Sequence, residues 1–176
     1  MNRDDHLHRT IRNVTATASA RFTYLAEAIA AAFEPTATQL QELERAYNAT
    51  GEYLIECAEF DGLVVQVHAQ GSRQMGTIVR PMDAKREGFD IDLVVRLSKA
   101  ALARYGGHGG AAQLLEHLYT ALKRYADRHD LGIERWERCV TLIYAGGMRA
   151  DFAPVIEDPL HALPHGEHHG RIPDRD

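Results

Sequence analysis

Apolar residues in the first third of the chain recur at the spacing of two amphipathic helices. In the first helix they are Phe22, Leu25, Ile29 and Phe33. Pro35 ends this helix, and the next begins where Thr38 and Gln41 match the Thr-x-x-Gln pattern of a capping box. We expect the apolar side of the second helix to pack into a core. Together the two helices predict a helical spine over residues 1–60, within the same domain as the rest of the chain.

Residues 61–176 contain short apolar stretches bounded by turn residues, which predict a sheet. The predicted strands are Leu63–Ala69, Phe89–Leu97, Ile133–Trp136, Arg138–Tyr144 and Met148–Pro154. The turn at Ala145–Gly147 predicts an antiparallel hairpin, and Pro154 should close its second strand because proline cannot donate to the ladder. A long helix is predicted from about Ala111 to His129. This mixture of strands and helices indicates an α+β fold.

Two acids on the second predicted strand are candidates for a metal site. Asp90 and Asp92 are separated by one residue, so their side chains point to the same face of the strand. Neighbouring carboxylates repel each other unless a cation lies between them, and hard oxygen ligands suit Mg²⁺. Asp151 lies on a later hairpin strand that could be adjacent. Three such carboxylates can hold two Mg²⁺ ions, one to activate a hydroxyl and one to bind a triphosphate.

A candidate phosphate site precedes these acids. Gly71-Ser72 follows the first predicted strand and leads into a short predicted helix. The backbone amides at the start of that helix, with the hydroxyl of Ser72, could hold a phosphate group. A phosphate site beside a cation site suggests chemistry on a nucleoside triphosphate.

Composition and charge narrow the functional classes. The 176 residues fit one domain, and the net charge of −5 argues against binding to a nucleic acid duplex or an anionic membrane. The two cysteines show no metal-ligand spacing, as expected of a reduced intracellular protein. The N-terminal residues lack the apolar segment of a signal peptide. No run of apolar residues in the sequence is as long as the roughly 20 residues that a membrane-spanning helix needs. We therefore expect a cytoplasmic protein without a membrane partner.

Three short sequences resemble a known family. QGSRQMGT at 70–77, FDIDLVV at 89–95 and RADFAP at 149–154 occur in the order typical of the DNA polymerase β-like nucleotidyltransferase fold. Within that fold the chain looks most similar to bacterial cGAS/DncV-like synthases of oligonucleotide second messengers. The resemblance covers nearly the whole chain. It implies a mixed, largely antiparallel sheet with long N-terminal spine helices.

The resemblance also implies roles for the acids and for the turn before them. Asp90 and Asp92 would bind both Mg²⁺ ions, and Asp151 would bind the ion that activates the acceptor hydroxyl and help to take its proton. Gly71 and Ser72 would hold the donor triphosphate.

Two more residues of that turn, Gln70 and Arg73, would lie at the rim of the nucleotide pocket. Members of this family continue into a C-terminal helical lobe, whereas this sequence ends at Asp176. The resemblance therefore implies that the lobe is missing here, and that the chain is a fragment or is completed by another chain.

The leading functional hypothesis is Mg²⁺-dependent joining of nucleoside triphosphates into a cyclic or linear second messenger, as the family does in anti-phage defence. An activating protein partner is a further expectation from the family. A second hypothesis is a minimal nucleotidyltransferase that adds AMP to a protein or a small molecule. A third, from another class, is a non-catalytic nucleotide-binding module.

Overall fold

The computed structural model describes residues 3–81, 88–157 and 170–171, and the side chains from Thr17 onward within those ranges up to Glu157. The chain divides into two compact units, Met1–Glu34 and Pro35–Asp176. In the described part of the chain, no helix is long and apolar enough to cross a membrane.

The first unit is a single long helix, α1 (Arg3–Phe33). Its end agrees with the prediction, because the residue before a proline is disfavoured in a helical conformation and Pro35 follows Glu34. Phe22, with 74 % of its surface exposed, shows that the predicted apolar side of α1 is accessible to solvent. The assignment of residues 1–60 to one spine stays a prediction.

The second helix, α2 (Ala37–Glu56), begins two residues earlier than the predicted capping box implies. Thr36 is the N-cap: its hydroxyl accepts from the N–H of Gln39 at 3.2 Å, and the Gln39 side chain accepts from the N–H of Thr36 at 2.9 Å. The prediction of Thr38 with Gln41 was therefore wrong. Both pairs match Thr-x-x-Gln, but Thr36 has the extended backbone of a cap, whereas Thr38 lies inside the first helical turn.

In the described part of the chain, six strands form one sheet in the order β1-β2-β5-β4-β3, with β6 paired to β5. Their bounds are β1 Val64–Ala69, β2 Asp90–Leu97, β3 Gly132–Arg135, β4 Val140–Ile143, β5 Arg149–Glu157 and β6 Gly170–Arg171. Only β2 and β5 run parallel, and every other neighbouring pair is antiparallel. The predicted mixed, largely antiparallel sheet is confirmed.

The remaining helices connect the strands. They are α3 (Gly71–Met75), a single 3₁₀ turn at Lys99–Ala101, α4 (Leu102–Tyr105) and α5 (Gly110–His129). The long helix α5 matches the prediction, whereas the 3₁₀ turn and α4 were not predicted. The chain passes from β2 through α5 before it returns to the sheet as β3, β4 and β5.

The last long strand does not stop at Pro154, as predicted, but continues to Glu157. Pairing of β4 with β5 reaches only Phe152, and β6 begins its pairing at Ile156. Among the described residues, β2 is therefore the only strand that pairs with β5 at Pro154, so a missing N–H is tolerated within the strand.

One face of the sheet is buried beneath α2 and α5. Alternate residues of β2, such as Leu93 and Val95, are fully buried, as are Phe152 of β5 and Leu118 of α5. The intervening positions of β2 and β5 are exposed or half-buried. This alternation fixes which side chains face the core and leaves the opposite face of β2 and β5 open.

We expect Thr36→Ala to lower the free energy of unfolding by about 1 kcal/mol, because it removes the N-cap of α2. The matched control is Thr38→Ala, which fits the same sequence pattern but is not the cap, and it should change stability by less than about 0.5 kcal/mol. Urea unfolding followed by circular dichroism measures both. A larger loss for Thr38→Ala would contradict the observed start of α2.

Candidate active site

The turn after β1 lies directly against β2. The N–H of Gln70 donates to the carbonyl oxygen of Asp92 at 2.9 Å, and α3 starts at the next residue. Gly76 adopts a left-handed conformation at the end of α3, and the N–H of Thr77 returns to the carbonyl oxygen of Ser72 at 2.9 Å. The chain between 70 and 77 is therefore a compact loop beside the predicted acids.

Gly71 brings this loop into close contact with a carboxylate. Its φ of +59° lies in the region that side chains rarely adopt, and a Cβ at this position would lie 2.6 Å from Oδ2 of Asp92. No other residue fits here without a shift of the backbone or of Asp92. The predicted phosphate loop and the predicted metal ligands are thus neighbours in space.

The three predicted acids lie on one face of the sheet. Asp92 of β2 is directly opposite Asp151 of β5 in the parallel register, and Asp90 is opposite Arg149. Paired strands lie about 4.8 Å apart, so the side chains of Asp92 and Asp151 leave the sheet side by side. This face is the open one, where Asp90 and Asp92 are exposed and Asp151 is half-buried.

The donor chemistry of this face fits a divalent cation. Carboxylate oxygens are the ligands that Mg²⁺ prefers, and neighbouring negative charges repel until a cation lies between them. Among the described residues, no three His, Cys, Asp or Glu side chains converge closely enough to hold one ion. The Asp90 carboxylate is drawn toward Arg149, whose Nε lies 3.9 Å from Oδ1 of Asp90.

Arg149 is a charged member of this face that sequence reasoning did not single out. Its Nη2 donates to Oε2 of Glu134 on β3 at 2.5 Å, and this hydrogen bond is the main reason that its pKa is raised. The alternation Arg-x-Asp on β5 was visible in the sequence. The contact with Glu134, however, depends on pairing between three strands.

Two further residues missed by sequence reasoning contact Asp151. The hydroxyl of Thr141 donates to Oδ1 of Asp151 at 2.5 Å, and the indole N–H of Trp136 donates to Oγ1 of Thr141 at 3.0 Å. Thr141 and Asp151 are register partners on β4 and β5. The predicted hairpin turn would have supplied this register.

The pKa of the Cys139 thiol depends in part on the negative charge of the acids. Burial, and to a smaller extent the charges of Asp151 and Asp92, raise the pKa of its thiol to about 11. Cys139 is a free thiol, as is the buried Cys57. At neutral pH the Cys139 thiol is therefore protonated beside the acids.

Of the residues predicted at the nucleotide pocket, Arg73 has a described side-chain partner. It forms an ion pair with Glu44 of α2, and its side chain is 25 % exposed. This pair directs the guanidinium toward α2. Roles for Gln70, Gly71, Ser72 and Arg73 in nucleotide binding stay predictions.

Comparison with known proteins connects this geometry to a family. A family model described as "Cyclic GMP-AMP synthase DncV-like, nucleotidyltransferase domain" matches residues 65–154, which is half of the chain and includes all three acids. None of the curated proteins matches the sequence.

The fold is shared with a solved structure. CdnG, a CD-NTase of Bradyrhizobium diazoefficiens solved in complex with GTP, is 23% identical, with a TM-score of 0.59. That match covers 78% of this chain and 37% of CdnG, so the chain spans well under half of its relative's length. Apo DncV of Vibrio cholerae is 20% identical over 80% of this chain and 39% of its own, with a TM-score of 0.46.

We expect Gly71→Ala to destabilise the fold more than Gly76→Ala. Both glycines are left-handed, which costs another residue about 1–2 kcal/mol, but only at Gly71 does a Cβ meet another group, Oδ2 of Asp92. Gly76 has nothing within 4 Å of that position and is the matched control. Denaturant unfolding of the two variants isolates the contact with Asp92. Equal losses would contradict it.

We expect Asp151→Asn to speed alkylation of Cys139 several-fold at pH 8. Removing a neighbouring negative charge lowers the pKa of the thiol, and the thiolate is the reactive form. Iodoacetamide labelling followed by peptide mass spectrometry measures the rate, with Cys57 in the same chain as the internal reference. An unchanged rate at Cys139 would show that the carboxylate does not act on the thiol.

Proposed function

Because the chain belongs to the DncV-like nucleotidyltransferase domain family, we propose that it transfers nucleotidyl groups between nucleoside triphosphates in a Mg²⁺-dependent reaction. The observation that supports this most is the register of Asp92 with Asp151 across β2 and β5. Asp90 lies on the same face, and the backbone of Gly71 lies against Asp92. A donor triphosphate held by the loop would place its phosphates beside the acids.

In this proposal the three acids have different roles, which follow from their positions. Asp90 and Asp92 would hold both Mg²⁺ ions, and Asp151 would hold the one on the acceptor side. Bound Mg²⁺ supplies positive charge that lowers the pKa of an attacking hydroxyl and neutralises the triphosphate. Asp151, whose Oδ1 accepts from Thr141, would take the hydroxyl proton as that hydroxyl attacks the α-phosphorus; the new phosphodiester bond would form as pyrophosphate leaves. The amides of Gly71 and Ser72 would orient the donor phosphates.

The product we propose is a cyclic or linear oligonucleotide second messenger for anti-phage signalling in the cytoplasm. The family's name as a cyclic GMP–AMP synthase supports a cyclic product. The GTP in the CdnG structure supports nucleoside triphosphates as substrates. An activating protein partner belongs to the same proposal.

We expect Asp92→Asn to lower product formation by on the order of 100-fold or more, because it removes a charge from the reacting centre. The protein would be incubated with radiolabelled nucleoside triphosphates and Mg²⁺, and the products separated by chromatography. The matched control is Glu157→Gln on the adjacent strand β5: Glu157 pairs with Arg96 away from the acids, so the variant should keep its activity.

Two outcomes would contradict the proposal. One is equal phosphodiester formation by Asp92→Asn and the unaltered chain. The other is no phosphodiester product under any condition of added effector or partner. Mass spectrometry that finds AMP on a protein or small molecule would favour the second hypothesis, a minimal AMP-transferring enzyme.

A further inference from the structure

We propose that Thr141 is a positioning residue for Asp151, and that Trp136 fixes the direction in which the Thr141 hydroxyl donates. The inference rests on the proposed function, since it takes Asp151 to be a metal ligand. It assigns a role in the site to Thr141 and Trp136, which belong neither to the acids nor to the phosphate loop.

The first support is the position of Thr141. It is the register partner of Asp151 in the antiparallel pair of β4 and β5, so both side chains leave the same face. Thr141 is fully buried, and only one other polar residue in the described part of the chain, Thr50, is equally so. A buried hydroxyl needs a partner, and here that partner is Oδ1 of Asp151 at 2.5 Å.

The second support is the chemistry of the donor behind it. An indole N–H can only donate, so the contact of Trp136 at 3.0 Å occupies a lone pair of Oγ1 of Thr141. An ionised carboxylate can only accept. The hydroxyl proton of Thr141 therefore points at Asp151, because neither neighbour can exchange roles. The three groups form a hydrogen-bond chain with a single direction.

The hydrogen bonds from Trp136 through Thr141 restrict the orientation of the Asp151 carboxylate. With Oδ1 held, the carboxylate cannot rotate freely about its χ2, and this hydrogen bond leaves both lone pairs of Oδ2 for a cation or a proton. Hydrogen bonds of this kind to metal ligands typically contribute a factor of about 10 to 100 in metal affinity. Thr141 would thus act on the reaction through Asp151 without touching substrate.

The test uses Mn²⁺ as the probe, with binding to the 176-residue chain measured by electron paramagnetic resonance. We expect Thr141→Val, which keeps the shape but removes the hydroxyl, to weaken Mn²⁺ binding by about 10-fold. Thr141→Ser restores the donor and should bind within about three-fold of the unaltered chain. Trp136→Phe should cause a smaller, few-fold loss, since the hydroxyl then loses only its fixed direction.

The matched control is Thr50→Val. Thr50 is equally buried, and its hydroxyl contacts Tyr144 at 2.6 Å. This contact lies away from the open face of the sheet that carries the acids. This variant should lower the melting temperature but leave Mn²⁺ affinity unchanged. An effect of Thr50→Val as large as that of Thr141→Val would overturn the inference, because the loss would then follow from stability alone.

Asp151→Asn separates the inference from the proposed function. If Asp151→Asn weakens Mn²⁺ binding but a folded Thr141→Val does not, only the positioning role is wrong. If Asp151→Asn changes neither Mn²⁺ binding nor nucleotidyl transfer, the proposed function itself fails. Should Thr141→Val not fold, Trp136→Phe decides the matter, because Trp136 is 55 % exposed and its replacement spares the core. Unchanged Mn²⁺ affinity in Trp136→Phe would overturn the proposed hydrogen-bond series from Trp136 through Thr141 to Asp151.

Discussion

The parallel pairing of β2 with β5 is the constraint on which the candidate site depends. The two strands meet in a register that sets Asp92 opposite Asp151, and the apolar residues between the acids are buried beneath the helices. Because side chains alternate, a slip of one residue would turn Asp151 into the core and Phe152 out to solvent. The hydrophobic face therefore enforces the position of the acids, although it takes no part in the chemistry.

The three acids concentrate negative charge on the open face of the sheet, and the side chains around them interact with that charge. Arg149 lies between Glu134 and Asp90, Thr141 donates to Asp151, and the charges of the acids help to keep the thiol of Cys139 protonated. Gly71 allows the backbone of a loop to approach Asp92, where a Cβ would lie 2.6 Å from Oδ2 and the carboxylate or the backbone would have to shift. These contacts bring the loop, the acids and their polar neighbours together on one surface.

The sequence was informative wherever a signal is local. Alternating residues on β2 predicted that Asp90 and Asp92 share a face, and turn residues predicted the hairpin that carries Asp151. It failed where two local solutions were equal, as with Thr36 and Thr38, which fit the same capping pattern. It also failed to identify Thr141, because its function depends on which residue of the neighbouring strand it faces. The predicted hairpin turn implies the register, but the contact also depends on burial and on the direction of the side chains, which local patterns do not specify.

The crossover between β2 and β5 has a consequence for folding. The two strands that carry the acids are distant in sequence, and the long helix α5 and the strands β3 and β4 lie between them. Parallel pairing at such separation is slow to form, because the entropy of closing the intervening chain is lost before the contact is gained. The face that carries the three acids is thus expected to assemble late. A nascent or partly unfolded chain would then display Asp92 and Asp151 on separate strands until the sheet closes.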